Sequence, residues 1–468
     1  MNIIASLLRA SSKMQSLGVK SACATSLGLV LALGLPAVGQ DQFSYTIGSG
    51  AVEIDGYNGT NGDVDIPASI NGLPVVSIRW GAFLNNEVLV NVTIPGTVTN
   101  LGRCSFENCY SLVSVTIPGS VACIQPVTFD QCGSLTSVMI SNGVTSIAET
   151  AFTARYSLTN VILPDSITSI GDSVFDNCGS LTNVTLPRCL TSIGNYAFAY
   201  SDLTGISIPT GVTNIGQGAF ECTPLTSATI PGSVTMVASD TFTECYSLTN
   251  VTIGNGVSSL GDYAFYECSS LACVTIPASV TNIGQSTFDS CCSLSNVTIP
   301  NRISSIGGDA FADCCALTRF VVPASVTSIG DWAFFNCYRL KAFYFQGNAP
   351  ALGSYPFYYD TNAIAYFLPG TTGWDTFSAS TSASTSLPNV LWNPKVQAGG
   401  ASFGVRTNRF GFNIIGTPAI PIAVDACTSL SCASWTALQS CTLTNGSIYF
   451  SDAQWTNYPA RFYRIRSP

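Results

Sequence analysis

Apolar residues recur along this chain in two short alternating runs per unit, and the unit itself repeats. From Leu248 the sequence reads Leu-Thr-Asn-Val-Thr-Ile, then Gly-Asn-Gly-Val-Ser-Ser-Leu-Gly-Asp-Tyr-Ala-Phe-Tyr-Glu-Cys. In the first run Val251 and Ile253 point one way and Thr252 the other, the period-two signature of a half-buried strand. Val257 and Leu260 form a second apolar pair, again with β-branched neighbours that favour strands. Most units follow the first run with proline, as at Pro95, Pro118, Pro164, Pro231, Pro277 and Pro300. Proline removes a ladder donor and so ends a strand. Gly-Asp before Ala-Phe predicts a tight turn into a short helical turn, with Asp172, Asp262 and Asp331 as its caps.

The phase is carried by Phe83, Phe106, Phe129, Phe152, Phe175, Phe198, Phe220, Phe242, Phe265, Phe288, Phe311 and Phe334. Successive spacings are 23 residues, except two of 22 around Phe220, and the Leu-to-Phe distance stays at 17. The missing residue falls both times between the Phe and the next Leu. Stacked rungs tolerate such a deletion in a turn because their core positions stay in phase. One rung cannot bury its apolar edge alone, so stacking supplies the core and stability sums over neighbours. The predicted fold is a mainly β repeat solenoid of about 12 rungs, roughly 55–60 Å long at a strand spacing of about 4.8 Å.

The unit Leu-x-x-Val-x-Ile-Pro-x-x-Val-x-x-Ile-Gly-x-x-Ala-Phe-x-x-Cys-x-x-Leu resembles the BspA-type leucine-rich repeat. Val274 to Leu294 and Val297 to Leu317 show it almost complete, and the resemblance spans about Ile66 to Phe345. It implies a curved right-handed solenoid on a secreted or surface-displayed protein. It also implies adhesion to host or matrix proteins and to other cells, without naming a ligand.

The ends depart from the repeat. Residues 40–75 read as an N-terminal cap, with strands at Tyr45-Thr-Ile and Ala51-Val-Glu-Ile, a degenerate rung at Asp63–Pro67 and a turn at Asn71–Pro74. The solenoid proper is assigned to 76–345. Residues 346–395 form a C-terminal cap, with Tyr366 and Trp374, and a Ser/Thr-rich linker from Ser378 to Ser386. The 396–468 segment gathers Arg406, Arg409, Arg461, Arg464 and Arg466 among short alternating runs, which predicts a small antiparallel β-sandwich. Residues 1–39 read as a cleaved export signal. Arg9, Lys13 and Lys20 precede the apolar stretch Leu27–Leu35, and Ala37-Val38-Gly39 offers the small residues for cleavage before Gln40. That stretch is far short of the roughly 20 residues a membrane span needs.

Composition narrows the chemistry. Charged residues make up 9% of the 468, hydrophobic residues 46%, and the net charge is −9. An acidic chain without a basic stripe is a poor nucleic-acid binder. Histidine is absent, which removes Ser-His-Asp and Cys-His catalysis and every His-ligated metal. Carboxylate-only glycoside hydrolysis survives that exclusion. The C-terminal segment holds only Asp425 and Asp452 as acids for it.

Two ladders invite functional readings. Nine cysteines are placed at one repeat position: Cys109, Cys132, Cys178, Cys222, Cys245, Cys268, Cys291, Cys314 and Cys337. Parallel ligands without histidine suit neither zinc geometry nor a cofactor, so a buried thiol ladder is expected. Phe106, Phe129, Phe175, Phe265, Phe288, Phe311, Cys109, Cys178, Cys245 and Cys268 are the structural core. Disulfides between adjacent rungs remain open to an exported chain, with Cys291-Cys292 and Cys314-Cys315 as candidates and one further bond among Cys427, Cys432 and Cys441. The second ladder is Thr93, Thr116, Thr185, Thr229, Thr252, Thr275 and Thr298, mid-strand and outward. Ordinary β-branched propensity explains it, and Met139, Ile162, Ser207 and Val321 interrupt it, yet it is the natural face for a partner. Asn-Val-Thr sequons at Asn91, Asn183, Asn250 and Asn296 follow from the repeat phase.

The expected protein is a secreted or cell-surface monomer without enzymatic activity, metal or cofactor. It would bind a protein or glycan at a cell or matrix surface through the solenoid face, with no nucleic-acid partner and no membrane span after signal cleavage. The alternatives are an architectural envelope or matrix protein without a specific ligand, and a carboxylate-based glycan hydrolase.

Overall fold

Alternation becomes a ladder wherever the strands stack. The computed structural model describes residues 40–154, 156–377, 387–398, 403–430 and 434–468; the expected export signal and the Ser378–Ser386 linker lie outside them. Asn91–Thr93 is a strand with Val92 buried and its flanking residues exposed. It pairs in parallel and in register with the next rung, Val92 beside Val115 and Thr93 beside Thr116. The same register joins Ser227–Ile230 to Asn250–Ile253 and Cys273–Thr275 to Asn296–Thr298. This first ladder starts at Asp63–Asp65 and runs to Asn389–Leu391 in three segments. The rungs at Val184 and Ile208 keep their buried side chains but carry no strand. The second apolar pair makes two-residue strands such as Ser259–Leu260 and Asn282–Ile283, a second ladder that reaches Ala351–Leu352.

The third edge of each rung is the turn around phenylalanine, and it is not the helical turn that Gly-Asp suggested. Tyr263 and Glu267, two residues either side of Phe265, have φ of 57° and 55°. Most rungs repeat this left-handed pair with non-glycine residues. The conformation turns the amides of Tyr263, Phe265 and Glu267 toward the carbonyls of Gln285, Thr287 and Asp289 on the next rung, each at 2.9 Å. Orphan turn amides are thus satisfied between rungs instead of within a helix. The aspartates act between rungs too. Asp262 accepts from the Gln285 amide at 2.8 Å, and Asp172 from the Asn195 amide at 2.8 Å.

Inside, the phenylalanines form one continuous stack from Phe83 to Phe357. Phe265 and Phe288 lie 5.4 Å apart at 2°, and Phe311 and Phe334 5.4 Å apart at 10°. Offset stacking of this kind adds to the area each ring buries. One end is closed by the hairpin of Phe43–Gly48 and Ala51–Tyr57, whose second strand joins Leu73–Ile78 in parallel. Asn71 and Gly72 take positive φ in the tight turn before it, where a left-handed pair suits hairpin twist.

The C-terminal segment folds as two antiparallel sheets. Arg409–Ile415 pairs with Lys395–Gln397, Gly404–Arg406 and Ser447–Asp452. Pro421–Cys427 pairs with Thr436–Thr442 and Phe462–Arg466. Their apolar faces enclose Phe412, Ile414, Ile420, Ile422, Val424 and Phe450, and this core continues onto Ala342, Tyr344 and Tyr366 of the solenoid. The Trp392 indole donates to the Pro421 carbonyl at 2.9 Å across the junction.

Candidate functional site

The outward column of the first ladder is the most distinctive surface. Thr93, Thr185, Thr229, Thr252, Thr275 and Thr298 are exposed and Thr116 is half-buried. Position alone does not distinguish them, since hydroxyls fill other columns. The difference lies in what the hydroxyls do. Three residues earlier, just ahead of each strand, Thr136, Thr159, Thr226, Thr249 and Ser295 each donate to the carbonyl of the preceding rung at 3.0–3.3 Å. Thr145, Thr168, Thr191, Ser258 and Thr327 do the same along the second ladder. None of the seven column threonines makes such a bond among the described residues, so their donors and acceptors face outward unspent.

Met139 and Ile162 interrupt the column as adjacent side chains, each 51% exposed. They form an apolar step with Thr116 on one side and Thr185 on the other. The exposed asparagines Asn91, Asn183, Asn250 and Asn296 run beside the column. Past Thr298 the column becomes Val321, Tyr344 and Tyr366. The two tyrosines stack at 5.3 Å and are buried under the C-terminal sheets. Burial pushes both phenols up, Tyr344 the further, with Tyr366 adding to the effect and Arg319 opposing it. The open face therefore ends in a wall. At its foot lies a cleft of about 480 Å³, bordered by Asn296, Arg319, Lys341 and Tyr344.

The core ladder behaves as a scaffold. Phe106, Phe129, Phe175, Phe265, Phe288 and Phe311 are fully buried. Cys109, Cys178, Cys245 and Cys268 are buried beside them, each thiol donating to the phenylalanine carbonyl of the previous rung at 3.1–3.4 Å. Burial pushes the Cys245 thiol up to about 11, which makes it inert as a nucleophile. Cys222 does not belong to this set. It stands two residues after Phe220, half-buried at φ 53°, and Thr223 fills the slot, donating to the Phe220 carbonyl at 2.7 Å. The rung of 22 residues loses its residue beyond that slot, so alignment by nearest cysteine misassigned it. Among the described residues no group of three or more Cys, Asp or Glu side chains is placed to hold a metal ion.

The two acids of the C-terminal segment are tied to arginines. Burial raises Asp425, but hydrogen bonds and charge from Arg466 and Arg464 outweigh it and leave its pKa lowered. Asp452 pairs with Arg461 at 2.7 Å and accepts from Tyr463 at 2.9 Å. The turn edge is acidic in its own right. Tyr200 donates to Glu221 at 2.9 Å, and Tyr246 to Glu244 at 2.7 Å. Burial first, then the charges of Asp313, Asp309 and Glu267, raise Asp289 to about 6.

A stack of parallel rungs with one uncommitted polar column defines a repeat scaffold. The BspA type leucine rich repeat model matches six copies over residues 63–155, 124–249 and 235–364, more than half of the chain, and the chain belongs to that family. It is similar to the crystal structure of a leucine-rich repeat protein from Bacteroides ovatus, with 25% identity, a TM-score of 0.55, and 75% of this chain and 98% of that one covered. A leucine rich cell surface protein from Faecalibacterium prausnitzii is 26% identical at a TM-score of 0.45, with 75% of this chain and 98% of that chain covered. No curated protein matches the chain. No helix among the described residues is long and apolar enough to cross a membrane.

Proposed function

We propose that this chain is a non-enzymatic binding protein, exported by residues 1–39 and working outside or on the cell. It recognises a protein or glycan surface through the first-ladder face between Thr93 and Thr298. The observation that carries this reading is the column of unspent hydroxyls, set beside columns whose hydroxyls bond backbone. A regular row of donors and acceptors about 4.8 Å apart can meet a repeating polar partner without desolvating a charge. Met139 and Ile162 supply the apolar anchor that such a face needs. Family membership supports a surface role, and the protein needs no metal, cofactor or second subunit for it.

The test is binding of the chain from Gln40 onward to arrays of matrix proteins and glycans. T252K/T275K and M139E/I162E should each lower affinity at least tenfold with unchanged thermal midpoints, because all four side chains point outward. Binding that survives both double variants would remove this face from the reading.

A further inference from the structure

Cys292 and Cys315 occupy the same place on consecutive rungs, four residues after Phe288 and Phe311. Equivalent positions on other rungs hold residues as varied as Glu87, Tyr110, Gly133, Asp202, Pro224 and Ser269, so two successive cysteines here are not imposed by the repeat. Their neighbours Cys291 and Cys314 are buried, with thiols donating to the carbonyls of Phe265 and Phe288 at 3.2 Å each. Cys292 is exposed and Cys315 half-buried, and the two side chains are near enough to influence one another electrostatically. The local turns are alike: the Cys292 amide donates to Ser290 at 2.9 Å and the Cys315 amide to Asp313 at 2.8 Å. The rungs are locked just before them by the Ser290 amide on the Ala312 carbonyl at 2.9 Å. Ring centroids of Phe288 and Phe311 lie 5.5 Å apart, a rung separation inside the roughly 4.4–6.8 Å that Cα atoms of a disulfide span.

We infer that Cys292 and Cys315 are a modification site, a dithiol that closes into a rung-to-rung disulfide when the chain meets a disulfide oxidant. The pairing is across rungs and not between vicinal residues, because Cys291 and Cys314 point into the core. The exposed Cys292 thiolate attacks a sulfur of the oxidant, for instance oxidised glutathione, and one glutathione thiolate leaves. Cys315 then attacks the Cys292 sulfur of the mixed disulfide and releases the second. Two protein thiols become one disulfide, and one glutathione disulfide becomes two thiols. Burial first, then Cys315, Asp313 and Asp289, disfavour the Cys292 thiolate, so exchange is faster in alkaline buffer.

The sequence supplies its own assay. Trypsin cuts after Arg188, Arg302 and Arg319, which leaves Cys292 in the 189–302 peptide and Cys315 in the 303–319 peptide. After treatment of the full chain with oxidised glutathione at pH about 8.5, these peptides should be recovered joined, two hydrogens lighter than their sum. C292S and C315S should each abolish the joined species, while C314S leaves it intact. The joined form should melt a few degrees above oxidant-treated C315S. Peptides that stay separate at every glutathione ratio, or a link that survives C292S, would overturn the inference.

Discussion

The buried slot three residues after each phenylalanine shows how one position sets both stability and its pH dependence. Cysteine at Cys109, Cys268 or Cys337 is small and apolar and still donates to a carbonyl. Ser201 and Thr223 serve the slot with hydroxyls. In the rung of Phe357 the slot holds Asp360, 2% exposed, with neither carboxyl oxygen hydrogen-bonded. Burial raises its pKa to about 8; the Cys337 amide lies near enough to lower it a little, but donates to the Phe334 carbonyl and forms no hydrogen bond with the carboxyl. The folded value lies above the unfolded one, so stability is greatest below about pH 4 and is lost as pH climbs through 8. At pH 7 the cost is on the order of 4 kcal/mol. D360C, which restores the repeat residue, should therefore stabilise by about that much at pH 7 and by little at pH 4, read from urea midpoints. Equal gains at both pH values would show that shape, not ionisation, governs the slot. Asp425 is the counterexample: its arginines lower its pKa, so its contribution is lost as pH falls through the folded value.

Strands and rungs were legible from sequence because period two and a fixed phase are written in side chains. Phe106 to Phe311 are buried, the outward threonines face away from the core, and the ladder cysteines other than Cys222 follow their phenylalanines by three residues. Three things were not legible. The turn edge uses left-handed Tyr263, Glu267 and their equivalents, and nothing in those side chains announces positive φ. The idle hydroxyls of Thr252 and Thr275 look like their committed neighbours until hydrogen bonds are drawn. The docking of the C-terminal sheets has only a faint signal in sequence: past Thr298 the threonine column turns to Val321, Tyr344 and Tyr366. The C-terminal sheets cover the two tyrosines, while Val321 beside them stays 37% exposed. Replacing Tyr366, 6% exposed, with serine should loosen that contact by about 2–4 kcal/mol. Amide exchange should then rise across Arg409–Ile415 while the rung of Phe265 keeps its protection. Unchanged exchange there would mean that the sheets hold without the aromatic seat.

For the molecule as a whole, the energy is a sum over rung contacts, and phase is the variable that matters. Most rungs meet their neighbours through the same three edges: two parallel ladders and the turn whose amides donate forward. Removing residues 251–273 deletes one period of 23 and joins Asn250 to Val274. The strand Leu-Thr-Asn-Val-Thr-Ile is rebuilt, and Phe242 meets Phe288 in place of Phe265. Every ladder stays closed, so the shortened chain should melt cooperatively near the parent midpoint. Scattering should show it shorter by one rung, about 5 Å. Removing only residues 251–261 leaves Phe265 in the chain but strips both strands from its rung. Apolar edges on either side then lose their partners, and cooperativity should fail although fewer residues are gone. The sharper loss from the smaller deletion is what a stack requires; a domain held by one global core would show the reverse order.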